Sequence, residues 1–166
     1  MSKKYSMFLV YFAILISTLM IPAVRATPPE SVSGDWFYTP YMVEITKQAG
    51  GNIFKYGEEN GIWTGGFDGT STDFFYVVVH PSGFVTCTGR INFEGTVNEE
   101  SGTMVILFVG KKNLETMLWS GKWVIIGGTD DLANLKGQGT WEGPGWIGPP
   151  GPGELSYEGT IHFDPS

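Results

Sequence analysis

Residues 71–97 read STDFFYVVVHPSGFVTCTGRINFEGTV, and no other stretch of the chain constrains its architecture as tightly. Two runs rich in Val, Phe, Tyr, Thr and Ile flank Pro81-Ser82-Gly83; strand-forming runs on either side of turn residues predict an antiparallel hairpin. Pairing His80 with Phe84 across the turn sets Val79 against Val85, Val77 against Cys87, Phe75 against Gly89 and Asp73 against Ile91. Successive side chains on a strand point to opposite faces, so this register assigns every residue a side. The face just named is apolar apart from Asp73 and is the predicted interior.

A second turn is expected at Asn98-Glu99-Glu100-Ser101-Gly102. With Val97 set opposite Thr103, the interior continues through Ile91, Phe93, Val97, Val105, Leu107 and Val109. The outer face then carries Phe74, Tyr76, Val78, Thr86, Thr88, Arg90, Asn92 and Glu94, followed by Met104, Ile106 and Phe108. That is more apolar than a solvent-facing side should be, and a second subunit would cover it. A homo-oligomer with Ile106 and Phe108 in its interface is therefore expected.

Outward from these hairpins the texture repeats. Short β-like runs at 34–39, 42–48, 52–56, 61–68, 117–127, 136–142 and 154–163 are separated by Gly, Pro, Asn and Asp, and no window of a dozen residues keeps a helical period free of Gly. Gly143–Gly153 is dense enough in Gly and Pro to be an irregular loop, with Trp146 and Ile147 upon it. The fold class is all-β, an antiparallel β-barrel of about eight strands, because closure removes exposed strand edges. Pattern alone leaves a two-sheet sandwich open.

The N-terminus differs in kind. Lys3 and Lys4 precede a mostly apolar run, Met7–Met20, and Val24-Arg25-Ala26 has the small residues of a cleavage site. The run is short for a bilayer, which takes roughly 20 apolar residues of helix, and Pro22, Pro28 and Pro29 break any helix beyond it. Residues 1–26 are thus read as a signal peptide, 27–33 as a flexible lead-in and 34–166 as the β-barrel domain, on a protein secreted to an extracellular or periplasmic space.

Three of the ten basic residues (Lys3, Lys4, Arg25) and none of the 17 acidic ones lie in the signal, so the remaining chain carries a formal charge of −10. That excludes nucleic acid as a partner and, after signal removal, a membrane surface, since both recruit clustered Lys and Arg. Cys87 is the sole cysteine. No internal disulfide can form, and the readings left are a small buried apolar residue, an intermolecular disulfide or a reactive thiol.

Chemistry is sparse. His80 and His162 lie far apart without ligand spacing, so no metal is expected. Glu58-Glu59, Glu99-Glu100 and Asp130-Asp131 read as solvated acidic pairs in turns. Ser71, Ser82, Ser101 and Ser120 lack a nucleophile elbow, and no cofactor motif is present. What remains is the barrel interior, wide enough for side chains or one small ligand. With six Trp, seven Tyr and 11 Phe in the chain, an interior cavity would be apolar, oriented by few polar groups. Its candidate lining residues are Asp73, Phe75, Val77, Cys87, Phe93 and Leu107; Asp73 equally suits a carboxylate accepting backbone N–H bonds near a turn. Glu44 lies on an early strand whose facing the sequence leaves open.

Val124-Ile125-Ile126-Gly127-Gly128-Thr129, then Leu132 and Lys136-Gly137-Gln138-Gly139-Thr140, resemble the C-terminal strand, Gly-rich turn and strand start of the allene oxide cyclase and dirigent barrel superfamily. Phe93-Glu94-Gly95-Thr96-Val97 with Ser101-Gly102-Thr103 resembles a hairpin of an uncharacterised microbial branch grouped with it. Asp130 stands where the family turn usually has Gly; if that position needs positive φ, Asp is tolerable there. The resemblance implies a barrel around an apolar interior, and trimers are known among such barrels. It transfers no catalytic residue, because none matches position by position. Two functions follow as expectations: binding of a small hydrophobic molecule or a protein partner without chemistry, or an isomerase or cyclase acting on a hydrophobic substrate inside the barrel.

Overall fold

The computed structural model describes residues 27–145 and 151–165. The expected signal peptide and the loop residues Trp146 and Ile147 fall outside them. Eight strands run β1 (Glu30–Ala49), β2 (Asn52–Gly65), β3 (Phe67–Val79), β4 (Val85–Val97), β5 (Glu100–Lys112), β6 (Trp119–Gly128), β7 (Leu135–Gly145) and β8 (Gly153–Phe163). Each pairs antiparallel with its sequence neighbour, and β1 pairs with β8 to close a barrel. The ten β-like runs of the sequence become eight strands, because 34–39 and 42–48 fuse into β1 and 52–56 and 61–68 contribute chiefly to β2. β1 begins at Glu30, inside the stretch read as a lead-in.

The first hairpin has the expected register, including Val77 opposite Cys87 and Asp73 opposite Ile91. The His80 N–H donates to the Phe84 carbonyl, and Gly83, at φ 83°, closes the turn by donating to the His80 carbonyl. The second hairpin does not. Its turn is only Asn98-Glu99, both at positive φ, and Phe93 pairs with Met104. Two-residue turns with both central residues at positive φ match the twist of the strands they join. The shorter turn moves β5 by three positions, an odd number, so every β5 side chain changes face. Met104, Ile106 and Phe108 are core residues, while Leu107 is 39% exposed and points outward with Val109. The assignment of Leu107 to the interior, and of Ile106 and Phe108 to an oligomer interface, is therefore corrected.

The barrel is blocked at one end. The β6–β7 connection folds inward as a single 3-10 turn, Asp130–Leu132. Leu132 within it and Leu135 at the start of β7 are both fully buried in the core. Asp130, which opens this turn, adopts positive φ, 54°. Above this plug Trp63 stacks on Trp36, and Phe67 on Tyr157, with ring centroids 5.0 and 4.9 Å apart. Glycines make room for the indoles: a Cβ at Gly110 or Gly121 would run into Trp141, and one at Gly139 or Gly159 into Trp123. The large side chains can thus lie flat across facing strands. At the other end, where the β1–β2, β3–β4 and β5–β6 connections gather, the described residues leave the interior incompletely filled.

Candidate functional site

Four residues of β2, Gly57, Glu59, Gly61 and Trp63, sit at alternate positions and face the interior; Glu58 faces out. Glu59 pairs directly with Asp73 of β3. Two acids on adjacent strands are thereby placed side by side inside the barrel, with Glu59 4% exposed and Asp73 fully buried. The expectation that Glu58-Glu59 is a solvated turn pair is corrected for Glu59.

Hydrogen bonds order one of the two. The Trp63 indole N–H donates to Ser71 Oγ (2.9 Å), and Ser71 donates to Asp73 Oδ2 (3.1 Å). Asp73 Oδ1 and the Trp36 indole N–H have no hydrogen-bond partner among the described residues. Gly61 makes this convergence possible: a Cβ there would run into Ser71 Oγ and the Trp36 nitrogen and stand 3.2 Å from Asp73 Oδ2. No described residue hydrogen-bonds the Glu59 carboxyl.

Burial penalises the charged form of both acids, and no cation offsets it. Desolvation, with the Asp73 charge added, pushes Glu59 up to about 9. Desolvation pushes Asp73 up to about 8 against the opposing hydrogen bond from Ser71. At neutral pH the pair therefore holds protons. Outside, Glu58 accepts hydrogen bonds from Tyr41 (2.7 Å) and Tyr56 (2.8 Å), which hold it below the usual carboxylate range.

Glu59 lines a cavity of about 290 Å³ at the end opposite the plug, the hairpin end, where Pro81-Ser82-Gly83 turns β3 into β4. Trp36, Tyr38, Phe75, Phe108, Trp119 and Trp141 wall it, with Val77 and Cys87 between them and Lys55 further along β2 towards the rim. Of the residues expected to line an interior site, Phe75, Val77 and Cys87 do so; Asp73 lies behind Glu59, Phe93 is packed in the core, and Leu107 is outside. Glu44 is exposed on the overhanging part of β1. Burial, and secondarily the Glu59 charge, push the Cys87 thiol up to about 12, so it lines the cavity as a thiol with no nucleophilic character. Among the described residues no group of three His, Cys, Asp or Glu side chains could hold a metal ion. A larger groove, about 990 Å³, runs along Val109, Lys122, Thr140 and Glu158, none of them buried.

Sequence reasoning missed Glu59, Ser71, Trp36 and Trp63. The alternation of Gly57, Glu59, Gly61 and Trp63 was a usable signal, since small residues opposite bulky ones mark the inner face of a narrow barrel.

Fold and site together define a small up-and-down β-barrel, plugged at one end and hollow at the other, with proton-holding carboxyls at the base of an aromatic cavity. The chain belongs to the family described as "Protein of unknown function (DUF3224)", whose model matches residues 45–144. It is similar in fold to the crystal structure of a protein of unknown function from the DUF3224 family of Shewanella oneidensis MR-1. The TM-score is 0.67 at 15% sequence identity, over 84% of this chain and 100% of that one. No curated protein matches the chain.

Proposed function

We propose that this protein is exported and binds a small hydrophobic molecule in the cavity at the hairpin end of the barrel. The supporting observation is the cavity itself: about 290 Å³, walled by six aromatic side chains, with a buried carboxyl at its base. Its volume is near the lower end of small-molecule sites, roughly 300–1,000 Å³, and an apolar wall with few polar groups is how such sites orient a ligand. Kinship with the allene oxide cyclase and dirigent barrels belongs to the same proposal. A second reading, isomerisation of a hydrophobic substrate, is favoured by Glu59, which holds a proton where such a substrate would sit.

Native mass spectrometry of the protein purified from its own source tests the binding reading. A co-purified small molecule is expected on the intact protein and absent from Val77→Trp, which fills the cavity. An unliganded intact protein that also fails to take up a panel of small hydrophobic compounds would reject it.

A further inference from the structure

Building on the cavity as a ligand site, we propose that its occupant is a hydrophobic amine, with the ammonium group seated against the Glu59 carboxylate and the surrounding aromatic faces. Buried carboxyls normally find a partner. Glu59 has none among the described residues, yet it is nine-tenths and more buried and opens onto the cavity. Its neighbour Asp73 leaves Oδ1 unpartnered as well.

Among the described residues no cation is paired with these two acids. Lys55, on the same face of β2 and lining the same cavity, is four residues away, about 13 Å along the backbone, and half-exposed nearer the rim. Arg90 of β4 is on the outside, bonded to Asn92. The other titratable groups facing Glu59 are Asp73 on β3, Cys87 on β4 and Tyr38 on β1, and none of these is basic. Trp, Tyr and Phe faces attract a cation, and more so where water is excluded. The charge of −10 on the exported chain draws cations to the protein at long range. Two acids without a counter-ion, enclosed by aromatic rings, make a site completed by an ammonium group.

The proton balance is simple. An ammonium ion that binds displaces the Glu59 proton to solvent; an amine that arrives neutral takes that proton itself. Either route ends in the same ion pair, and no further reactant is needed.

Isothermal titration of the full exported chain with phenylbutylamine and, separately, phenylbutanol tests this. The amine should bind at least about tenfold more tightly than the alcohol, a gap of roughly 1.4 kcal/mol. Titrations near pH 7 in buffers of different ionisation enthalpy should show about one proton released per amine and none per alcohol. Glu59→Gln should remove both the preference and the release while alcohol binding persists, and Asp73→Asn should keep the preference. Alcohol binding as tight as amine binding in the intact protein overturns the amine assignment and leaves the hydrophobic cavity standing. Failure of both ligands to bind overturns the cavity reading with it. The amine-to-alcohol affinity ratio on the intact protein decides the matter even if the Glu59 variant does not fold.

Discussion

Glu58 and Glu59 differ by one position and by the whole thickness of a sheet. Glu58 meets two tyrosine hydroxyls and becomes a stronger acid, whereas Glu59 meets Asp73 and aromatic walls and becomes a weaker one. Unfolded, Glu59 and Asp73 would titrate near their ordinary values of 4.5 and 3.8; folded, they titrate near 9 and 8. Between these limits the folded chain binds more protons than the unfolded one, so these two groups lower stability as pH rises through that window. The barrel is expected to melt at least about 5 °C lower near pH 8 than near pH 5, and Glu59→Gln should flatten that slope. Thermal denaturation followed by circular dichroism checks it, and a melting temperature that climbs from pH 5 to pH 8 would contradict the buried pair. Asp73 was readable as an inward carboxyl because one good turn fixed its strand. Glu59 was not, because its facing depends on pairing β2 with β3 around Gly65-Gly66, a Gly-Gly turn signal that the reading of 61–68 as one run absorbed into a strand.

Element by element, the two hairpins show why register is only as legible as the turn that sets it. Pro81-Ser82-Gly83 has a Gly where positive φ is needed, and every pair derived from it appears in the structure. Asn98-Glu99 has a glutamate at φ 73°, a position where few would place one, and Gly102 looked like the turn glycine although it sits inside β5 opposite Gly95. All of β5 was therefore read inside out, while the number and direction of the strands survived. Side-chain deletions distinguish the two registers. Phe93→Ala is expected to cost about 3–5 kcal/mol and Ile106→Ala about 2–5, as for buried side chains; Glu94→Ala should change stability by less than about 0.5. Leu107→Ala should cost much less than Ile106→Ala. Urea denaturation of the four variants measures this, and a Leu107 variant weaker than the Ile106 one would restore the longer turn.

At the scale of the whole molecule, closure solves most of the edge problem and creates another. With β1 paired to β8 the ring closes, and an unpaired edge is left where β1 overhangs beyond Tyr38; away from it, contact between barrels uses the outer face. That face carries an apolar stripe on β5 and β6: Leu107 pairs with Val124, and Val109 and Ile126 are 54% and 51% exposed beside them. The residues first assigned to an interface, Ile106 and Phe108, are inside, but their neighbours in sequence take over the outer positions, as a one-face inversion requires. Contiguous exposed apolar side chains mark interaction surfaces, and closed symmetric assemblies of identical chains are a common way to cover them. Like charges on every copy, a formal −7 over the whole sequence, oppose open-ended growth and favour a small closed assembly. A chain lacking residues 1–26 is therefore expected to form a discrete homo-oligomer at micromolar concentration through Leu107, Val109, Val124 and Ile126. Val109→Glu should dissociate it, because the substitution places a charge in the apolar stripe, while leaving the melting temperature within about 2 °C, as for an exposed position. Sedimentation velocity reads both chains directly. A parent protein that sediments at the mass of one chain, or an assembly that Val109→Glu leaves intact, would move the contact off this stripe.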